Sequence, residues 1–183
     1  QKGPMFLLKA FKQAHDINSN IRLDIVGDGR LRDAILEFIQ GNDMGQYVDY
    51  HGPTTYASDQ HIGFLRNADV FIHPSVTDTN GDKEGIPGAI VEAMAAGLPV
   101  ISTYHAGIPH IIDHGVTGLL VNEWDIQRLV DAILQVAGDS YLRARVGKAG
   151  QTYAMKNLDL QENEKNLEQI YDGLLLKTSN KVY

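Results

Sequence analysis

Residues Glu84 to Ser102, EGIPGAIVEAMAAGLPVIS, join a polar loop, a helix start, two carboxylates and a strand. Proline at the first helical position gives up only an amide that has no partner there, so Ile86-Pro87-Gly88 predicts a helix entrance. Gly97 closes the helix. Between them Ala89, Ile90, Val91, Ala93, Met94, Ala95 and Ala96 are apolar all round, which predicts a buried helix. Glu92 breaks that pattern, because a carboxylate on a buried helix is costly unless it is paired or faces a wet cleft. Helical side chains lean toward the N-terminus, so this carboxylate is expected over Gly88, one turn earlier. The entrance itself offers backbone amides and the positive end of the helix dipole, which suits a phosphate. Pro87 to Glu92 rises about 7.5 Å, similar to the reach from a nucleotide's phosphate to its ribose hydroxyls. One ligand could therefore touch Glu84, the entrance and Glu92.

Working outward, short apolar strands alternate with helices. Gly3 to His15 predicts a helix led by Pro4, and Ile21 to Val26 a strand running into the turn Gly27-Asp28-Gly29. Leu31, Ile35, Leu36 and Ile39 line the next helix. Val48 to Tyr50 and Val70 to His73 read as strands, the second buried, with a polar helix from Ser58 to Asn67 between them. Beyond Ser102 come a turn from Thr103 to Pro109, a short helix, the strand Gly118 to Val121, and closing helices. Leu167, Ile170, Tyr171, Leu174 and Leu175 give the last helix its apolar face, and Lys177 to Tyr183 reads as a frayed tail. Such alternation predicts an α/β fold, a Rossmann-like parallel sheet covered by helices on both faces, with ligands bound beyond the carboxyl ends of the strands.

At 183 residues and 43% hydrophobic the chain fits one domain with a sizeable core. A net charge of -7 argues against a general nucleic-acid binder, which would present a basic face. The absence of cysteine removes disulfide and thiolate chemistry and is compatible with a reducing cytoplasm. The start, QKGPMF, has no signal-peptide character and reads as an interior segment, so a fragment is expected.

Glu84 and Glu92 enclose seven residues. This E-x7-E spacing resembles the signature of retaining glycosyltransferases of the family-4 type. So do the initial Lys2-Gly3, the turn Gly27 to Gly29, the strand end His73 to Ser75 and the stretch Gly115 to Val121, in matching order. The resemblance implies one half of a GT-B fold: the C-terminal nucleotide-sugar-binding domain, over residues 1–183. Its first strand and the N-terminal acceptor domain would be missing, and the helix over 157–176 would pack partly on that missing domain.

By the same resemblance, Lys2 would contact the diphosphate and Glu84 would meet the donor sugar's hydroxyls and help place the reacting carbon. The backbone at Gly85, Ile86, Pro87, Gly88 and Ala89 would dock the diphosphate and sugar, and Glu92 would hold the ribose hydroxyls. Gly27 and Gly29 are carried as donor contacts beside the cleft, although the turn lacks the third glycine of a dinucleotide fingerprint. The implied activity is sugar transfer from a nucleotide-sugar donor with retention of anomeric configuration, in cell-surface polysaccharide or glycolipid assembly. No metal or further cofactor is implied, and no nucleic acid. The acceptor, a sugar or lipid-linked molecule, would bind through the missing domain, with the full-length protein cytoplasmic or peripheral at the inner face of the membrane. The fragment alone would be inactive.

Three rivals remain: a non-catalytic nucleotide-sugar-binding module, a GT-B nucleotide-sugar epimerase, and a dinucleotide oxidoreductase, disfavoured by the glycine pattern. His105, His110 and His114 invite a metal reading that lacks a further ligand. Ala106-Gly107-Ile108-Pro109-His110 departs from the family's Gly-Gly-x-Pro-Glu at two places, and Trp124 is expected to pack in a helix cap.

Overall fold

The computed structural model describes residues 1–179. In chain order the elements are α1 (Pro4–Ile17), β1 (Leu23–Val26), α2 (Arg32–Gly41), β2 (Val48–Gly52), α3 (Asp59–Asn67), β3 (Phe71–Ile72), α4 (Gly88–Ala95), β4 (Val100–Thr103), β5 (Leu119–Val121), α5 (Ile126–Gly138), α6 (Ser140–Asn157) and α7 (Leu160–Ser179). The tail expected from Lys177 lies outside the described residues from position 180 onward, and Lys177 to Ser179 belong to α7. Among the described residues no helix is long and apolar enough to cross a membrane.

Local chemistry sets the helix starts. Pro4 opens α1, the Ser58 side chain caps α3 by accepting from the His61 amide, and Asp125 and Asp139 cap α5 and α6 in the same way. Pro87 is the cap of α4 and Gly88 its first residue, one position later than expected. Gly97, at φ 83, reverses the chain after α4 into β4.

All pairings are parallel, but they form two sheets rather than one: β1 with β2, and β3-β4-β5 with β4 central. Every residue of the central β4 is buried, and so is every residue of the edge strand β5, whereas β1 alternates half-buried and exposed and β3 is half-buried. The strand expected over Val70 to His73 is correspondingly only two residues long and less buried than anticipated.

Alternate residues of the central strands serve two cores. Ile101, Leu119 and Val121 join Phe6, Leu8, Phe11, Leu129 and Val130 under α1 and α5. Val100 and Leu120 face the other way, onto Ile90, Met94, Ile108 and Ile112. Helices thus cover both faces, as the alternation predicts. Ile35 and Ile39 of α2 are buried, while Leu31 and Leu36 are 45% and 39% exposed because this helix covers only the narrow two-stranded sheet. On α4 only Ile90, Ala93 and Met94 are fully buried, and Ala96 is exposed, so the helix is less enclosed than its composition suggests.

Candidate functional site

The site grows from the end of β3. The His73 amide continues the ladder to the Ile101 carbonyl, and β4 then fixes the turn with hydroxyls: Ser102 Oγ donates to the His73 carbonyl at 2.6 Å and Thr103 Oγ1 to that of Ser75 at 2.5 Å. Those two bonds give His73-Pro74-Ser75 a rigid shape. The first residues of the chain lie across it, with the Val76 amide donating to the Gln1 carbonyl at 2.7 Å. Gly3, at φ 63, sits so close to the Pro74 carbonyl that a Cβ would overlap the oxygen. Glycine after Lys2 is therefore a steric requirement, and it delivers the lysine to a defined place.

That place is Glu84. Lys2 Nζ lies 2.9 Å from Glu84 Oε1, while His73 Nε2 and Ser75 Oγ approach Oε2 at 3.4 Å each. The hydrogen bond from His73, with the Lys2 ammonium, outweighs burial and holds the Glu84 carboxyl at about 2, below its ordinary 4.5. Stability drawn from this depressed group is complete above its unfolded value and is lost as pH falls from about 4.5 toward 2. A carbon-13 titration of the carboxyl is expected to find Glu84 still ionised at a pH of about 3.5; a midpoint near 4.5 would contradict the cluster.

Glu92 stands on α4 as expected, with Oε1 3.9 Å from where a Cβ on Gly88 would sit. Its other oxygen is 2.9 Å from His61 Nε2, on α3. The partner explains how the helix tolerates a carboxylate, and no sequence pattern points to it: His61 reads as one more polar residue of a polar helix. Tyr56, 75% exposed, stacks obliquely on His61 with ring centroids 5.7 Å apart. The α4 entrance, Pro87-Gly88-Ala89, lies between the two carboxylates in sequence.

Gly85 and Ile86 run beside the turn after β4, where the Gly107 amide donates to the Gly85 carbonyl at 3.3 Å. A Cβ on Gly107 would meet Ile86 Cγ1 at 2.7 Å, so the second glycine of that turn is needed. The first is replaced by Ala106, which holds the left-handed conformation at φ 43.

Gly27 and Gly29 lie just after β1; the Gly27 amide donates to the Gly52 carbonyl and the Gly27 carbonyl accepts from Tyr50, both on β2, while the Gly29 amide donates to Asp28 Oδ1 and its carbonyl accepts the Arg32 amide. A cavity of about 310 Å³ opens there between Asp28, Arg32, Tyr50, His51, Gly52 and Pro53. Lys2 and Glu84 are thus joined directly, Glu92 and Gly88 lie together, and the glycine turn belongs to the neighbouring sheet.

His105, His110 and His114 do not converge. His105 bonds Glu123 and the Glu84 amide, and His114 Nδ1 accepts the Leu120 amide. Trp124 departs from expectation: it is 59% exposed at φ 65, with its ring 5.8 Å from that of Phe6, because the left-handed turn before Asp125 lifts it off the α5 cap.

The model of the family described as "Glycosyl transferases group 1" matches residues 1–139. The amylovoran biosynthesis glycosyltransferase AmsK of Erwinia amylovora is 40% identical over 114 residues, 62% of this chain and 27% of that protein. The putative colanic acid biosynthesis glycosyltransferase WcaL of Salmonella typhimurium is 37% identical over 129 residues, 70% of this chain and 31% of that protein. The chain thus spans about a third or less of these relatives. Among solved structures, Anabaena Alr3699/HepE in complex with UDP superimposes with a TM-score of 0.80 at 22% identity, covering 94% of this chain and 45% of that one.

Proposed function

This chain belongs to the glycosyl transferases group 1 family, and from that premise we propose that it is the donor-binding half of a retaining, nucleotide-sugar-dependent glycosyltransferase. The observation that carries the proposal is the pair of carboxylates flanking the α4 entrance, each held by its own histidine. The diphosphate docks at the entrance amides with Lys2 beside it, the ribose hydroxyls bond Glu92, and Glu84 orients the donor sugar. Lys2 is 66% exposed, and a solvent-exposed ion pair contributes only ~0–1 kcal/mol, so a diphosphate can draw the ammonium from Glu84 at little cost. Lys2 supplies part of the charge that offsets a departing diphosphate, with no metal ion or further cofactor in this proposal.

The names of the relatives, amylovoran and colanic acid biosynthesis glycosyltransferases, support a role in polysaccharide assembly, and we propose that the full-length protein sits in the cytoplasm or at the inner face of the membrane. The two sheets fit a larger Rossmann-like sheet in which one further parallel strand, from outside these 183 residues, pairs between β1 and β3. Leu167, Ile170 and Tyr171 on α7 are 50–59% exposed, a surface suited to the acceptor-binding domain of the whole enzyme. Leu174 and Leu175 of that face lie outside the described side chains.

Calorimetry of the chain with UDP, GDP and ADP tests the reading. Binding of one of them is expected, and Glu84→Gln is expected to leave that affinity in place while weakening the matching nucleotide sugar. Absence of heat with all three nucleotides overturns the proposal.

A further inference from the structure

We propose that His105 and Glu123 are positioning residues: one hydrogen-bonded pair, a buried histidine and a half-buried carboxylate, that staples both ends of the loop from Thr77 to Glu84 and so sets where the Glu84 carboxylate stands. The inference rests on the reading of Glu84 as the donor-sugar contact.

His105 is completely buried, at the turn after β4. Its Nδ1 is 2.8 Å from Glu123 Oε1, and its Nε2 accepts the Glu84 amide at 3.2 Å. A carboxylate only accepts and a backbone amide only donates, so these partners fix the ring: the proton is on Nδ1 and Nε2 is bare. Glu123, just after β5, also receives the Thr77 amide at 2.7 Å on Oε2 and the Thr77 hydroxyl at 3.2 Å on Oε1. One end of the loop is thereby bound to Glu123 and the other to His105. The intervening Asp78 closes the loop on itself, accepting the Asn80 and Asp82 amides. The Gly107 amide on the Gly85 carbonyl adds a third tie from the same turn.

A carboxylate is required at position 123. Its two oxygens accept three hydrogen bonds, and an amide in its place turns an NH2 group toward either Thr77 or His105. If it faces His105, the ring must accept at Nδ1 and carry its proton on Nε2, opposing the Glu84 amide. Glu123→Gln thus releases one end of the loop, at Thr77 or at Glu84, without altering volume.

Nitrogen-15 spectra of the wild-type chain are expected to show His105 with a protonated Nδ1 and a bare Nε2, and a slowly exchanging Glu84 amide. Glu123→Gln is expected to speed exchange of the Thr77 or the Glu84 amide about tenfold. It should also weaken UDP-glucose about tenfold more than UDP, whereas general loosening would weaken both alike. A ring protonated at Nε2, or equal losses for the two ligands, overturns the inference. If the wild-type chain binds none of UDP, GDP and ADP, the donor-site reading fails instead; if it prefers GDP or ADP, that nucleotide and its sugar replace UDP and UDP-glucose, and in either case the ring tautomer with the amide exchange rates still decides the positioning pair.

Discussion

Gly3→Ala is expected to destabilise the chain by about 3 kcal/mol and to detach Lys2 from Glu84. Two costs combine. An alanine in the left-handed conformation costs ~1–2 kcal/mol, and forcing a methyl into a filled space costs ~1–3 kcal/mol. At Gly3 the filled space is the Pro74 carbonyl oxygen, which the Ser102 and Thr103 hydroxyls keep from moving by pinning the carbonyls on either side of it. Gly81 is the control: it has φ 82 but nothing within 4 Å of a built Cβ, so Gly81→Ala should show the conformational cost alone. Denaturant unfolding of the two variants separates the terms. Equal losses would mean that the contact with Pro74 has no energetic weight.

Gly147→Ala should lose about 2–4 kcal/mol, although helix propensity alone favours alanine by ~1 kcal/mol. The sign is set by position: Gly147 lies where α6 crosses the reversal after α4, and a Cβ there would overlap the Gly97 carbonyl oxygen and stand 3.2 Å from the Pro99 amide nitrogen. Neither atom is the end of a flexible side chain. Gly138, at the end of α5 with open space around it, should accept alanine without such a loss. A rise in melting temperature for Gly147→Ala would contradict the close approach of α6 to this reversal.

Much of this arrangement is legible in the sequence because it rests on local chemistry. Pro4, Ser58, Pro87 and Gly97 mark helix ends to within a residue, and the lean of helical side chains places Glu92 over Gly88. The partners of the carboxylates are less legible, since they are fixed by which strands lie side by side. His73 reaches Glu84 because β3 pairs with β4, and His61 reaches Glu92 across 31 residues of chain. His105 is the sharpest case. Grouped with His110 and His114 by spacing it suggests a metal, yet each of its nitrogens is already engaged, by partners 18 and 21 residues away. Trp124 misleads for a related reason: its place just before Asp125 suggests packing in a helix cap, and only its positive φ shows why it stands outside.

The division into two sheets is also a matter of long-range pairing. Alternating strands and helices predict parallel neighbours, but not that β1 and β3 lack a common ladder.

The proposed clamp, a donor held between Glu84, the α4 entrance and Glu92, is tested most directly by calorimetric titration of the wild-type chain and of Glu92→Ala with UDP, or with whichever of GDP and ADP the wild type prefers. Glu92 sits about one helical turn past the entrance, so its removal should cost the ribose hydrogen bonds and leave the diphosphate contacts in place. The expected result is binding weakened by ~1–3 kcal/mol, roughly five- to 150-fold. Unchanged affinity in Glu92→Ala would remove the α4 carboxylate from the site and contradict the clamp.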